Sequence, residues 1–405
     1  MRFNRLQRGS ILFVLSVLTV LARLRGSGNL LNNEIQYRGV DAYYHLRAVR
    51  YSVVNWPDTL TFDPFTNFPN GNAVGQFGTI YDLSIATIAK FTPLSSEIVL
   101  FYAPVVLAVF SLLTVYYLVS TIHSHRAGLI ASGIFTLQSG IYLQRTLAGF
   151  SDHHAAEVFL LLLSLTFVSK AFNSSHTILW SVIAGFVTSL YLWVWPPGIL
   201  LIGIYGLVAV FMLFSKRMVD PTTLIVTIAV SGILPSFLND MSIFSVTHLS
   251  ALHIYLTSGG AIALLLLYYG RKVMGRHSIL YVAIGLSTAG YIGLRLFANS
   301  VYTDLKKMVV WAFLPSESLK VAETVSWSQG FGLNGLTPIH AITFLYGASW
   351  LLAAIGILYI HYGKKWNRQT RILFYTVTGI FTLLAIAQLR FHYYFVLPVT
   401  IFAAV

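Results

Sequence analysis

Apolar runs of membrane-spanning length alternate with short polar turns along almost the whole chain. A helix needs about 20 mostly apolar residues to cross a bilayer. Runs of this kind lie near 11–25, 98–122, 127–144, 154–172, 178–194, 197–214, 222–238, 249–270, 277–298, 338–362, 372–389 and 391–405, which predicts twelve spans. The first run, Ile11 to Ala22, lacks a small-residue cleavage site and reads as a retained span rather than a signal peptide. The run 80–91, IYDLSIATIAKF, is too short to cross ~30 Å of hydrocarbon at about 1.5 Å per residue, so an interfacial or re-entrant helix is predicted there. Two connections are long, 26–97 and 299–337. Loops of that length usually carry function or are disordered. The first holds FDPFTNFPNGN, rich in turn formers and aromatics, and does not read as disordered.

Composition agrees with the pattern. Of 405 residues, 56% are hydrophobic and 10% charged, and mean hydropathy is +0.73. A soluble domain carries about 25% charged residues. The predicted class is therefore an all-α polytopic membrane protein. Cysteine is absent, which excludes disulfides and thiolate metal sites.

The net charge of +13 changes meaning once it is located. With the N-terminus in the cytoplasm, Arg2, Arg5, Arg8, Arg126, Lys170, Lys216, Arg217, Arg271, Lys272, Arg276, Lys364, Lys365, Arg368 and Arg371 all fall inside. Asp220 is the one acid among the 13 to join them. The positive-inside rule accounts for this excess, and nucleic acid is not needed to explain it.

On this topology four polar clusters face outward. They are YRGVDAYYHLR with Asp41, His45 and Arg47; QRTLAGFSDHHAAE with Arg145, Asp152, His154 and Glu157; SLKVAETVSW with Glu323; and QLRFHYYF with Arg390 and His392. Asp41, Asp152 and His154 are candidate ligands for a divalent cation. Carboxylate oxygens suit Mg²⁺ or Mn²⁺, and an imidazole tilts the choice toward Mn²⁺ or a later metal. Asp152 and His154 share a metal only if the segment is extended or just entering the helix that begins near Ala155. That helix N-terminus would also favour a phosphate. The plainer reading makes Asp152 an N-cap and leaves the histidines at the lipid interface. Asp41, between Gly39 and two tyrosines, reads equally as part of an interfacial amphipathic helix. Arg145 and Arg390 are candidate phosphate clamps or headgroup contacts.

Taken as an ordered set, these clusters resemble the catalytic subunit of the oligosaccharyltransferases, in its archaeal AglB-like branch. The G-x-D of the first external loop is matched by Gly39-Val40-Asp41, and DPFTNFPNG resembles the continuation of that loop. Asp152-His153-His154 has the archaeal D-x-H form of the second acidic motif, with Arg145 upstream. Lys320-Val321-Ala322-Glu323 stands where the family has T-I-x-E, matching at the Val and Glu positions. Arg390 resembles the arginine that the family places near the donor pyrophosphate.

The resemblance implies a GT-C-type transmembrane domain over 1–405, with external loops 26–97 and 299–337. It implies transfer of an oligosaccharide from a polyprenyl (dolichyl) phosphate or pyrophosphate to the amide of an Asn-x-Ser/Thr sequon. Asp41 and Glu323 would be catalytic and would bind the acceptor amide. Asp41, Asp152 and His154 would hold Mn²⁺ or Mg²⁺, and Arg390 and Arg145 would bind the donor phosphate. The expected location is the cell membrane, with the N-terminus cytoplasmic and the active site extracytoplasmic. The family's soluble C-terminal domain, with its W-W-D-Y-G motif, has no counterpart here. The chain stops within the apolar run HYYFVLPVTIFAAV, which reads as a cut before that part. Two other functions share some of these features: a lipid-linked-sugar transferase with a hydroxyl acceptor, and a polyprenyl-phosphate-sugar transporter or flippase.

Overall fold

A computed structural model describes residues 3–25, 35–74, 80–239, 251–313, 342–343, 345–363 and 365–405. The helices begin α1 (Arg5–Arg23), α2 (Asp41–Val54), α3 (Ile80–Phe91), α4 (Ser96–Ile122), α5 (His125–Leu137), α6 (Ile141–Arg145), α7 (His154–Phe172), α8 (Thr177–Val194), α9 (Ile199–Phe214) and α10 (Thr222–Asn239). Gly260–Phe297 follows, bent at Gly275, and then Asn299–Phe313, Ser349–Gly363, Arg368–Ala387 and His392–Ala403. Among the described residues eight helices are long and apolar enough to cross a membrane. Thr222–Gly232, Ser349–Gly363 and Leu389–Ala403 are shorter apolar helices. The protein is a multi-pass membrane protein.

The predicted span 127–144 is where sequence and structure part. α5 stops at Leu137, and the chain turns through Gln138 and Gly140 before the single turn of α6. Gly140 has φ +88°, and a Cβ there would lie 2.9 Å from the Leu345 carbonyl oxygen. An L side chain fits neither the backbone nor the space. The apolar run therefore breaks, and Arg145 is placed on a separate short helix. The run 80–91 is the short helix that was predicted. It packs against α2 and α4. The second long connection opens as the helix Asn299–Phe313.

α7 is the axis. It packs against α4 and α8, and most of its residues are buried. Its two ends define the two ends of the molecule, about 28 Å apart for 19 residues at ~1.5 Å each. At the Phe172 end, the Asn367 side chain donates to Asn173 Oδ1 at 2.8 Å. Arg368 donates to the Arg217 carbonyl at 2.9 Å, and Gln369 to the Asp220 carbonyl at 3.0 Å. Three of the turns assigned to the inside by charge therefore meet on one end. Asp152 and His154 lie at the other.

At that other end, the segment before α2 is stitched to the segment before α7. The Arg38 N–H donates to the Gly149 carbonyl at 2.8 Å, and its guanidinium donates to the Ala148 carbonyl at 3.2 Å. Gly149 has φ +78°, and a Cβ would meet the Phe101 ring at 2.7 Å. Only glycine allows this close approach. The stitch draws α2, which opens on Asp41, toward the loop that carries Asp152.

The rest of the first long loop is held by its own polar contacts. Residues Phe62–Asp63 pair antiparallel with Asn72–Ala73. The buried Asp63 carboxylate accepts from Thr66 Oγ1 at 2.5 Å and from the Phe65 N–H at 3.0 Å, and it pairs with Arg47. Burial opposes its ionisation, but these donors outweigh burial and hold the carboxyl below its ordinary range. A depressed carboxylate stabilises the fold above its unfolded pKa of about 4, and the contribution fades as pH falls through the folded-state value. Asp63→Asn should therefore cost about 1.5–3 kcal/mol at neutral pH, the usual worth of hydrogen bonds to a charged group. Its melting temperature in detergent should converge on wild type as pH falls below about 4.

Candidate functional site

Asp152 is the centre of a buried polar cluster. It sits just before α7, is 4% exposed, and is surrounded by three imidazoles. Its Oδ1 receives the His153 N–H at 2.6 Å and lies 2.5 Å from His153 Nδ1 and 3.3 Å from His45 Nε2. Its Oδ2 lies 3.1 Å from His154 Nε2. Burial works against an ionised Asp152. The charges and hydrogen bonds of His153 and His154 more than reverse that, and hold the carboxyl well below the usual carboxylate range. Burial likewise disfavours a charged His45, while Asp82 and Asp152 on its two ring nitrogens raise its pKa to about 10.

Two further carboxylates back the imidazoles. Asp82, from α3, faces His45 Nδ1 at 2.8 Å. Glu157, one turn into α7, faces His154 Nδ1 at 2.9 Å and His153 Nε2 at 3.1 Å. Glu157 is fully buried and also accepts hydrogen bonds from Tyr393, at 3.0 Å, and Tyr394 of the last helix. The short helix α3, the loop-borne α2, the span α7 and the final helix are thereby joined through side chains alone.

The donor set suits a divalent cation. His45, Asp152 and His153 can each bring one ligand atom within 4.8 Å of the others, and so can His153, His154 and Glu157. All the donors are carboxylate oxygens or imidazole nitrogens. Three buried carboxylates share the three imidazoles as their charge partners in a low-dielectric site, and a cation that displaces ring protons could take over that balancing role.

Cationic groups stand alongside. Arg145, at the end of α6, is half-buried, with its guanidinium 4.8 Å from the Phe150 ring. Burial pushes its pKa down, while Asp152, Tyr393 and Glu157 oppose that push and Arg390 adds to it. Arg145 is thus within electrostatic reach of both the acidic cluster and the second arginine. Arg390 lies in the turn Leu389–Phe391, 5.0 Å over Trp311 and 5.9 Å over Trp195. Its buried Nε has no hydrogen-bond partner among the described residues.

The structure thus brings together Asp152, His154, Arg145 and Arg390. Asp41 is exposed in the first turn of α2 and makes no ion pair among the described residues. It stands one turn before His45 on the same helix face. It is His45, not Asp41, that touches Asp152. Glu323 lies outside the described residues. Sequence reasoning gave no role to His45, His153 or Glu157, although each sits inside a polar cluster that it singled out. It passed over Asp82 altogether. The signal for Asp82 was a lone acid in the first turn of an otherwise apolar short helix.

The chain is similar to known proteins in sequence and in fold. AglB of Haloferax volcanii, a dolichyl-monophosphooligosaccharide–protein glycotransferase, is 38% identical over 204 residues, covering 44% of this chain and 19% of the relative. Dolichyl-phosphooligosaccharide-protein glycotransferase 3 of Archaeoglobus fulgidus is 27% identical over 442 residues, covering 99% of this chain and 50% of the relative. The fold is that of the archaeal oligosaccharyltransferase AglB from Archaeoglobus fulgidus, solved in complex with an inhibitory peptide and a dolichol-phosphate. The TM-score is 0.83 at 23% identity, over 98% of this chain and 49% of that one. The chain spans about half the length, or less, of these relatives. The family model for the N-terminal part of the oligosaccharyl transferase STT3 matches residues 15–405, and the chain belongs to that family.

Proposed function

We propose that this chain is the catalytic transmembrane domain of an enzyme that transfers an oligosaccharide from a dolichyl phosphate or pyrophosphate to the asparagine amide of an Asn-x-Ser/Thr sequon. The carrying observation is the buried Asp152–His154 pair with Arg145 and Arg390 beside it. Family membership and the names of the relatives support the same reading. The site faces the outside if the basic turns around Asn173, Arg217 and Arg368 face the cytoplasm.

The reaction forms a bond from the amide nitrogen to the sugar's anomeric carbon, breaks the bond from that carbon to the phosphate oxygen, and releases one amide proton. An amide nitrogen is a weak nucleophile because its lone pair is delocalised into the carbonyl. Asp41 and Glu323 accept hydrogen bonds from the two amide N–H groups and so hold the lone pair toward the sugar. Asp152 and His154, with Asp41, would hold the divalent ion. Mn²⁺ fits the mixed oxygen and nitrogen donors better than Mg²⁺. When bound, such an ion stabilises the departing phosphate as a Lewis acid. Arg390 and Arg145 place positive charge at the same departing group. The orphan Nε of Arg390, carried between two tryptophans, is a donor suited to an anionic oxygen.

The polar groups lie at one end of α7. A transporter concentrates such groups near the midplane, so this placement favours an enzyme.

Glycan transfer from membranes to an Asn-x-Thr peptide tests the proposal. Transfer should require Mn²⁺ or Mg²⁺ and stop with EDTA. Asp152→Ala, Asp41→Ala and Glu323→Ala should each lower turnover by about a hundredfold or more, the scale of one lost electrostatic contact in a dry site. Losses below tenfold in all three would overturn these roles. Glu157→Gln keeps the shape but removes the charge behind His154, so it should weaken the metal requirement's midpoint by about 10–100-fold, read from activity against Mn²⁺ concentration.

A further inference from the structure

Asp82 and His45 have no place in the mechanism above, yet both are buried. Asp82 is 5% exposed and His45 is 2%. Leaving an acid unpaired in such surroundings is costly. Among the described residues Asp82 is paired with His45 Nδ1, at 2.8 Å. The other ring nitrogen of His45 is spent on Asp152 Oδ1 at 3.3 Å. The imidazole is boxed in by Tyr81, Tyr44 and His153, with ring centroids at 5.4, 5.5 and 5.8 Å. Edge-to-face packing on these rings and a hydrogen bond at each ring nitrogen both favour the observed orientation.

The two oxygens of Asp152 are used differently. Oδ1 is taken up by His45, by the His153 ring and by the His153 N–H. Oδ2 faces His154 Nε2 at 3.1 Å. That separation suits two ligands of one ion at about 2.0–2.2 Å from each. A carboxylate held through one oxygen presents the other in a fixed plane. Outer partners of this kind orient the ligands of a metal site and tune its affinity.

We infer that His45, locked by Asp82, is a positioning residue that pins Asp152 Oδ1 so that Oδ2 is presented beside His154 Nε2 to a divalent cation. The inference rests on the proposed metal role of Asp152 and His154. It also gives the first long loop a purpose at the site. The loop elements α2 and α3 each contribute one member of the chain Asp82–His45–Asp152, so a loop and a membrane span share a single hydrogen-bonded line.

The probe is Mn²⁺ itself, titrated onto the chain in detergent and followed by loss of the electron-paramagnetic-resonance signal of the free ion. The variants are H45Q, D82N, their double and D152N, with melting of each metal-free protein as the control for folding. H45Q and D82N should each weaken Mn²⁺ binding by about 10–100-fold, while the metal-free protein still melts cooperatively, at a lowered temperature where a buried partner is lost. The double should bind as H45Q does, because Asp82 acts through His45 and coupled residues are not additive. D152N should abolish binding. If D152N loses the ion but H45Q and D82N bind as wild type, the positioning role is overturned and the metal site stands. If D152N also binds as wild type, the metal reading falls and this inference with it. Should H45Q fail to fold, D82N decides the question, since it keeps the imidazole and the volume.

Discussion

The end of this molecule at which α7 begins depends on one buried carboxylate. Asp152 lies at the mouth of a bundle whose core is almost wholly apolar, and an ionised acid there is stable only if its charge is matched at contact distance. Three histidines do this, and two further acids, Asp82 and Glu157, fix the histidines in turn. Each member is acceptable because the others are present. Breaking one link leaves an uncompensated charge in a low-dielectric setting, which is the costly case for buried pairs. The cluster also fixes geometry, because its members come from α2, α3 and α7 and reach the last helix through Tyr393 and Tyr394.

Backbone detail makes that convergence possible. The close approach of residues 36–38 to 148–149 needs a glycine at 149, and the break after α5 needs one at 140. A continuous span over 127–144 would have kept Arg145 within a helix running on toward the membrane. The break instead gives Arg145 its own short helix beside Asp152. Thr146, next to it, accepts from the buried Arg23 Nε of α1 at 2.8 Å, so the short helix is anchored on the first span.

Much of the bundle was legible because membrane spans announce themselves by length and hydropathy. The interfacial helix 80–91 was legible for the same reason in reverse, being too short to cross. The break at Gly140 was not, because residues 127–144 stay apolar throughout and the decisive fact is a backbone angle forced by contact with Leu345, some 200 residues away. At the site, the D-x-H spacing and the late arginine could be read from motif order. The partnership of His45 with Asp82 and Asp152 could not, since it joins positions 37 and 107 residues apart. Glu157 hid in plain view: an acid one turn into an apolar helix looks like an N-terminal dipole partner until Tyr393 and Tyr394 are seen donating to it.

The last helix links the two halves of the candidate chemistry. Arg390 lies in the turn just before it, and Tyr393 and Tyr394 within it are hydrogen-bonded to Glu157, which holds His154. The register of the arginine is thus tied to the register of His154 through two hydroxyls and a carboxylate. Arg390 itself is neutralised by no acid among the described residues and rests on the faces of Trp195 and Trp311. Aromatic faces stabilise a guanidinium without occupying its N–H groups. A carboxylate partner would consume those donors and cancel the charge. The tryptophans keep both available, which suits the phosphate-binding role proposed for Arg390. The acid cluster and the aromatic-borne arginine therefore solve opposite problems a few side chains apart. One balances negative charge within the fold, and the other keeps positive charge open for a ligand.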